Sequence, residues 1–395
     1  MTEIDYAIVG AGMAAFTAAQ AIRDLDGDAR IVLFGSEPEG PYQRPALSKG
    51  LWQGEREEEI IFGVEELGAE LISRRVVRLE PGLRRLTDEL GNEYGYRKLL
   101  LTTGVRPRRL PLAGLPGGSV HYLRTLADYR RLRAALPEPG AGLPVLVIGG
   151  GFLGAEISAA LNQNGHRVTM AFPEAGISGL ILPAGLAQQV NAEYTRNGIE
   201  VLAGHMVRGA EQTGETVTVA LEETASGEVS EREFSLLLAA VGSTPAQELA
   251  GEAGIAVNDG IVVDELFRTD APGVFAAGDV ARYPDPLFGP RRVEHEDHAL
   301  HSGMHAGLAM AGEGQPYGHI PLFYSALYGS SYEAAGLLDS RMATRANWAQ
   351  PSSSGTIYYL DDRGIVRGVL LWNNPGGIDE ARELLRRGEL APAAP

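Results

Sequence analysis

Cysteine is absent from this 395-residue chain, and the absence removes several chemistries at once. A disulfide framework, a thiolate metal site and a redox-active dithiol all need sulfur that is not there. Lysine is almost missing too: Lys49 and Lys98 are the only two among 34 basic residues, leaving 32 arginines. No apolar run approaches the roughly 18–20 residues that cross a bilayer. A strand-like segment begins by Ile4, too early for a signal or transit peptide, so a cytoplasmic location is the expectation. Positive charge is in deficit overall. A formal net charge of −17 repels phosphate backbones, which argues against nucleic-acid binding and, outside a local arginine patch, against a strongly acidic protein partner. The acidic run EREEE at 55–59 reads as a solvated face.

What is present is glycine, placed with purpose. GAGMAA at 10–15 follows the apolar run Ile4–Val9, and GGGFLG at 149–154 follows Val145–Ile148. Each is a short strand, a tight turn and a helix-like stretch, an arrangement that aims unpaired backbone N–H groups and a helix dipole at a pyrophosphate. One such fingerprint is weak. Two in one chain imply two dinucleotides, and the usual chemical reason is hydride passing between them.

The surroundings of the fingerprints also repeat. Strand 30–34 and strand Leu99–Thr102 follow the first; Val168–Phe172 and LLLAAVGSTP at 236–245 follow the second, so the whole nucleotide-binding unit is duplicated. GVFAAGD at 273–279 adds a buried strand with no fingerprint of its own. From about 316 the pattern alternates apolar and polar and then finishes in a helix, Ile378–Arg387, with ELAPAAP read as a disordered tail. The fold class expected is α/β, with two Rossmann-like dinucleotide-binding domains and a small C-terminal α+β domain. Boundaries fall at 1–115 and 244–312 for the first domain in two parts, 116–243 for the second, and 313–395 for the third.

Single residues carry the chemistry. Ser36 and Glu37 follow the second strand of the first unit, where a carboxylate suits a ribose diol, although an ordinary surface Glu has the same appearance. Glu174 holds the matching place in FPE; a carboxylate there favours a free 2′-hydroxyl and repels a 2′-phosphate. Arg167, at the other end of that strand, is roughly 20 Å away at ~3.3 Å per residue, so NADH is expected over NADPH. Phe152 and Glu156 share a helix face. Glu156, in an otherwise apolar helix, needs a cation, and Lys49 in PYQRPALSKGLW is a candidate; Phe152 is equally consistent with simple packing. His295, His298, His301 and His305 crowd one segment. A metal on His298, His301 and His305 competes there with plain surface histidines, and no metal is expected; Asp297 reads as the N-cap of a helix whose positive end suits an electron-rich ring.

Together these residues resemble the two-dinucleotide flavoprotein reductases, FAD-dependent pyridine nucleotide oxidoreductases. Within them the chain is similar most of all to the apoptosis-inducing factor-like NADH oxidoreductases, and next to the oxygenase-type ferredoxin reductases. PYQRPALSKGLW, GGGFLGAE, FPEAG, RRVEHEDHA, Phe323–Tyr324 and VLLWNN at 369–374 occur in family order. The resemblance implies a glutathione-reductase-like fold without redox cysteines. It puts FAD on Gly10, Gly12, Ala14, Ser36, Glu37, Arg44, Lys49, Val76, Arg124 and Asp279, with His295 and Glu296 at the flavin edge. It puts NADH on Gly150, Gly151, Phe152, Leu153, Glu174, Gly242, Glu294, Tyr324, Glu333 and Asn373. Lys49, Glu156, Phe152 and His295 become the catalytic set, with Phe152 shielding the flavin.

Without cysteine, the relay from flavin to a thiol used by many such proteins cannot exist, so electrons leave the flavin directly for an acceptor: a quinone, a small electron carrier or oxygen. A slow NADH-binding redox sensor and an oxygenase-system ferredoxin reductase are the alternatives, with an NADH-linked homodimer as a further expectation. Departures from the family pattern are Leu180 where a lysine is expected, Glu296 where ferredoxin reductases carry Trp, and a 346–355 segment too short for the regulatory insertion of the vertebrate protein.

Overall fold

The computed structural model describes residues 3–112, 115–136, 142–350 and 353–392. The chain divides into two compact units. The first comprises Met1–Arg44, Arg56–Arg106 and Thr244–Leu322; the second comprises Pro45–Glu55, Pro107–Ser243 and Phe323–Pro395.

The first unit is organised by strand Glu3–Val9, whose Ile4, Tyr6, Ala7 and Ile8 are all buried. Such near-continuous apolar character marks a parallel strand covered on both faces. It lies between parallel strands Ile31–Phe34 and Glu93–Leu101, with Glu70–Ile72 outside the former and Val274–Ala276 paired to Leu99–Leu101 of the latter. Antiparallel strands Arg85–Asp88 and Val76–Glu80 extend the sheet to seven. Helices Met13–Leu25 and Glu296–Ala311 pack closely because glycine permits it. A Cβ on Gly303 would stand 2.2 Å from the Ala14 carbonyl oxygen, and one on Gly307 2.5 Å from that of Ala18. Thr17 Oγ1 donates to the Leu300 carbonyl at 2.8 Å across the same seam.

In the second unit a five-stranded parallel sheet runs in the order 200–203, 167–172, 144–148, 236–239 and 120–121. An antiparallel three-stranded sheet of His205–Thr213, Thr216–Glu223 and Val229–Phe234 caps it. Strands Leu322–Leu327, Ser330–Gly336, Ala343–Gln350, Ser354–Leu360 and Val366–Trp372 make a five-stranded sheet, and helix Ile378–Arg387 follows. The mixed α/β architecture is therefore the expected one: two nucleotide-type sheets, the first mixed and the second parallel, and a C-terminal α+β part.

The tail is a correction. Ile365 bridges Leu390, Val366 N–H donates to the Glu389 carbonyl at 3.0 Å, and Arg345 Nη1 donates to the Ala391 carbonyl at 2.8 Å. Backbone pairing, two carbonyl acceptors and the buried Ala391 thus dock residues 389–391, while Leu390 stays exposed and 393–395 lie outside the described residues. Among the described residues no helix is long and apolar enough to cross a membrane.

Candidate functional site

Both fingerprints form the turn that their sequences promise. Gly10 has φ +110° and Gly149 φ +119°, a region costly for residues with a Cβ. Gly10 N–H donates to the Phe34 carbonyl at 2.8 Å and Gly149 N–H to that of Ala171 at 2.9 Å. Next, Gly12 and Gly151 take the N-cap positions of helices Met13–Leu25 and Phe152–Gln163, neither helix having a side-chain cap or an acid in its first turn. A Cβ on Gly12 or Gly151 would meet nothing within 4 Å. Each site is thus a helix N-terminus without a side-chain cap, with open space over the N-cap glycine. That is the donor set and room a pyrophosphate needs, so the residues present fit two dinucleotides.

Counting from the acceptor carbonyls, Glu37 and Glu174 occupy equivalent places, three residues beyond Phe34 and Ala171. Glu37 is tightly held: Tyr42 Oη donates to it at 2.5 Å and Arg44 Nη2 at 2.7 Å. Burial opposes the charge on Arg44, but Tyr42, Glu37 and Asp279 together raise its proton affinity above the ordinary value. Glu174 makes no side-chain hydrogen bond or ion pair among the described residues. Ser36 is exposed beside Glu37.

Asp279 lies in the turn Gly278–Val280, against the first cradle. Gly278 (φ +74°) leaves only 3.0 Å between an added Cβ and that of Ala14, and its N–H donates to Ser302 Oγ. Arg292 Nη1 donates to the Asp279 carbonyl at 3.0 Å and pairs with Glu294 at 2.5 Å. Glu294 is thereby tied into the first unit.

Helix Glu296–Ala311 begins with His295, not Asp297, at its N-cap. Asp297 sits in the first turn because its carboxylate accepts from His319 Nε2 at 2.5 Å and from Leu322 N–H at 3.1 Å. Those bonds hold its proton affinity below the usual carboxylate range despite burial. Burial pushes His295 down to about 4 and His298 down to about 3, each aided by Arg291. Both imidazoles are therefore neutral at pH 7, and the acids Glu296 and Asp297 in the first turn offset the positive end of the helix. His298, His301 and His305 do not gather. His298 turns into the core, its Nδ1 3.0 Å from Tyr317 Oη, and the group that comes together is Asp297, His301 and His319. Their two imidazoles stack face to face at 3.7 Å and 10°. Parallel rings send their in-plane lone pairs alongside each other instead of to one point, so the group is a clasp between the helix and the chain after it.

In the second unit Lys49 and Glu156 meet, Nζ to Oε1, at 3.0 Å, with the Glu156 side chain 9% exposed. Two further donors serve the same carboxylate: Ser48 Oγ to Oε2 at 2.7 Å and Ser325 Oγ to Oε1 at 3.0 Å. Lys49 Nζ also lies 4.7 Å from the centre of the Tyr324 ring, which is exposed. Phe152, one turn before Glu156, packs edge-on to Phe323 at 5.5 Å and near Tyr332 at 6.3 Å.

The other expected residues are placed less tellingly. Gly150 backs onto Phe172, whose ring would lie 2.6 Å from an added Cβ; Leu153 is half-buried in the first helical turn, and Gly242 is exposed with φ +93°. Val76 is buried in the first unit, Arg124 is half-buried in the second, and Glu296 starts the His295-capped helix. Glu333 Oε2 receives the Gly376 N–H at 3.5 Å. Asn373, with φ +46°, uses its amide on Ser331 N–H at 2.7 Å and the Ser353 carbonyl at 2.8 Å, tying strands together. Sequence reasoning missed Ser48, Ser325 and Arg292. Ser48 adjoins Lys49, a usable signal; Ser325 lies 169 residues from Glu156, and no local pattern announces that contact. It also missed Ser178 (φ +55°), whose N–H clamps the Gly150 carbonyl at 2.7 Å.

With this geometry in hand, the comparisons are specific. Residues 4–303 match the model for pyridine nucleotide-disulphide oxidoreductase, and residues 306–356 match that for apoptosis-inducing factor, mitochondrion-associated, C-term. The chain is similar to mitochondrial apoptosis-inducing factor 1 of Dictyostelium discoideum, at 31% identity over 97% of this chain and 78% of the relative. It is similar to the ferredoxin–NAD(+) reductase component of the anthranilate 1,2-dioxygenase system of Burkholderia cepacia, at 31% over 99% of this chain and 96% of the relative. Among solved structures, the ferredoxin reductase for the CYP199A2 system of Rhodopseudomonas palustris superposes with TM-score 0.89 at 26% identity, covering 98% of this chain and 96% of that one.

Proposed function

Because the chain belongs to the pyridine nucleotide-disulphide oxidoreductase family, and is thereby an oxidoreductase using FAD and a nicotinamide nucleotide, we propose that it is an NADH oxidoreductase whose electrons reach their acceptor without passing through a thiol. The observation that carries this reading is the pair of uncapped glycine turns, each with room over its N-cap, in a chain with no cysteine. When bound, the cofactor pair supplies hydride transfer from nicotinamide C4 to flavin N5.

The residues of this chain bind, orient and hold charge. Gly10, Gly12 and Ala14 cradle one pyrophosphate, with Glu37 on the ribose and Asp279 and Arg44 beside it; Ser36, Val76, Arg124, His295 and Glu296 complete the FAD site. The second cradle, Gly150 to Leu153, takes NADH. Glu174 selects the free 2′-hydroxyl, and Gly242, Glu294, Tyr324, Glu333 and Asn373 line the rest. Phe152 would shield the reacting face and make way for a bound nicotinamide. Lys49, held by Glu156, supplies fixed positive charge where negative charge develops. On this reading 1–115 and 244–312 form the FAD domain, 116–243 the NADH domain and 313–395 the C-terminal domain, working in the cytoplasm.

The acceptor is a quinone, a small electron carrier or oxygen; the Burkholderia and Rhodopseudomonas relatives, ferredoxin reductases by name, weigh towards a carrier. Anaerobic titration with NADH, followed by a panel of acceptors, tests the proposal. Bleaching of a yellow protein by one equivalent of NADH, reversed rapidly by one class of acceptor, is expected. A colourless protein ends the reading. A long-wavelength band that survives minutes in air would favour the redox sensor, and sizing with and without NADH tests the linked homodimer.

A further inference from the structure

The Lys49–Glu156 pair is not alone, and its surroundings carry an assignment beyond the roles given above. Glu156 Oε1 receives Lys49 Nζ and Ser325 Oγ, each at 3.0 Å, while Oε2 receives Ser48 Oγ at 2.7 Å. Ser325 is 1% exposed and Ser48 6%, so neither hydroxyl can exchange its partner for bulk water. A carboxylate this enclosed is costly unless its lone pairs are met, and three donors meet them. Lysine is a flexible point charge with three rotatable donors; unaided, Nζ would sample many positions. Strand Leu322–Leu327 limits it from two neighbouring residues, the Tyr324 ring lying 4.7 Å from Nζ and Ser325 pinning the oxygen that Nζ grips.

We propose that Ser325 is a positioning residue for the reductive half-reaction: by donating to the Glu156 oxygen that also holds Lys49, it keeps the carboxylate in place and the ammonium aimed. Ser48 serves the other oxygen and anchors the same carboxylate without touching the Lys49 contact. The inference rests on the proposed role of Lys49.

The test compares holoenzymes carrying Ser325→Ala, Ser48→Ala and Lys49→Met. Ser325→Ala is expected to keep its flavin and to be reduced by NADH roughly tenfold more slowly at pH 7, the low end for a lost hydrogen bond to a charged group. The loss should fall on the limiting rate of reduction and not on the NADH concentration that half-saturates it, and Ser325→Thr, which keeps the hydroxyl, should recover most of the rate. Ser48→Ala should show a smaller loss of rate. A loss confined to half-saturation, or one that Ser325→Thr does not relieve, would show that Ser325 only fills space, and overturns the proposal. Normal reduction of Ser325→Ala beside slow reduction of Lys49→Met also sinks it while sparing the function. Normal reduction of Lys49→Met removes the reading beneath it.

Discussion

The two phosphate cradles match closely in backbone and differ in how they fill the space around it. Gly10 and Gly149 share a left-handed φ, and an added Cβ on either would stand 2.2 Å from a carbonyl, that of Thr102 or of Ala240. One residue on, they part. The first cradle places Ala11 against Gly35, whose added Cβ would come within 2.7 Å of the alanine methyl; the second places Gly150 against the Phe172 ring. Small meets small in one and nothing meets large in the other. A similar trade follows at the fingerprint's last position, where Ala15 is accepted but Gly154 would drive a Cβ to 2.1 Å from the Gly149 carbonyl. The fingerprint is therefore a rule about close approach between pairs of residues more than about glycine number. The flanking carboxylates differ as well: Glu37 is locked by Tyr42 and Arg44, whereas Glu174 makes no side-chain hydrogen bond or ion pair among the described residues. A locked carboxylate suits a resident cofactor and an unengaged one suits a nucleotide that comes and goes.

The most severe way to break the comparison is to fill each cradle in turn. Gly12→Asp and Gly151→Asp both add a side chain to open space, and aspartate is a favoured N-cap, so both variants fold. The carboxylate would cap the first turn and repel a pyrophosphate. Gly12→Asp should purify without flavin colour. Gly151→Asp should stay yellow but show a KM for NADH raised at least about 100-fold, or ~2.7 kcal/mol of lost binding. A colourless Gly151→Asp beside a yellow Gly12→Asp would reverse the assignment of the cradles.

Glu37→Ala strikes less hard. It leaves Arg44, whose side chain is 18% exposed, without its carboxylate. Breaking such a pair costs about 3 kcal/mol, so flavin should dissociate more readily and the melting temperature fall. A variant as stable as wild type would show that Tyr42 and Asp279 suffice for Arg44.

Where the sequence was legible follows from the range of the interactions concerned. The fingerprints, the carboxylates after the second strands and the Ile378–Arg387 helix are set by neighbours within a few residues, and all are found where the pattern puts them. Glu156 announced a need for a cation because charge in an apolar helix is conspicuous. What escaped was long-range or a matter of competition. Asp297 looks like an N-cap, but His319, 22 residues on, offers it a better partner. The four histidines look alike in sequence, yet burial against Tyr283 and Tyr317 sends His298 inward and leaves His301 half-exposed. Ser325 has no local signature at all.

Acid provides a gentler contrast between the units. His295 and His298, at about 4 and about 3, open the helix Glu296–Ala311 that packs on the first cradle's helix Met13–Leu25, whereas in the second unit burial lowers His121 and His166, neither of them on the cradle's helix. The folded values of His295 and His298 lie below the unfolded ~6.5, so their contribution is fully present above pH 6.5 and is lost as pH falls towards 4, by up to about 1.4 kcal/mol per pH unit for each. Flavin release, followed by fluorescence, should begin below pH 6.5 and precede the global loss of near-ultraviolet dichroism. Simultaneous loss of both would mean that the buried histidines do not single out the first cradle.

The smallest effect expected concerns Glu174, and it separates the two carboxylates most cleanly. With no side-chain partner among the described residues to release, Glu174→Ala should cost little stability. It removes a negative charge from where a 2′-phosphate would lie, so the NADH/NADPH ratio of kcat/KM should narrow about tenfold, the worth of one partly solvated charge contact of ~1.4 kcal/mol. Glu37→Ala, whatever its effect on flavin retention, should leave that ratio unchanged. If wild type already prefers NADPH, the geometry of the Ala171–Glu174 turn has been misread. If Glu37→Ala moves the ratio as far as Glu174→Ala does, the two cradles are not divided between flavin and nicotinamide nucleotides in the way their flanking residues indicate.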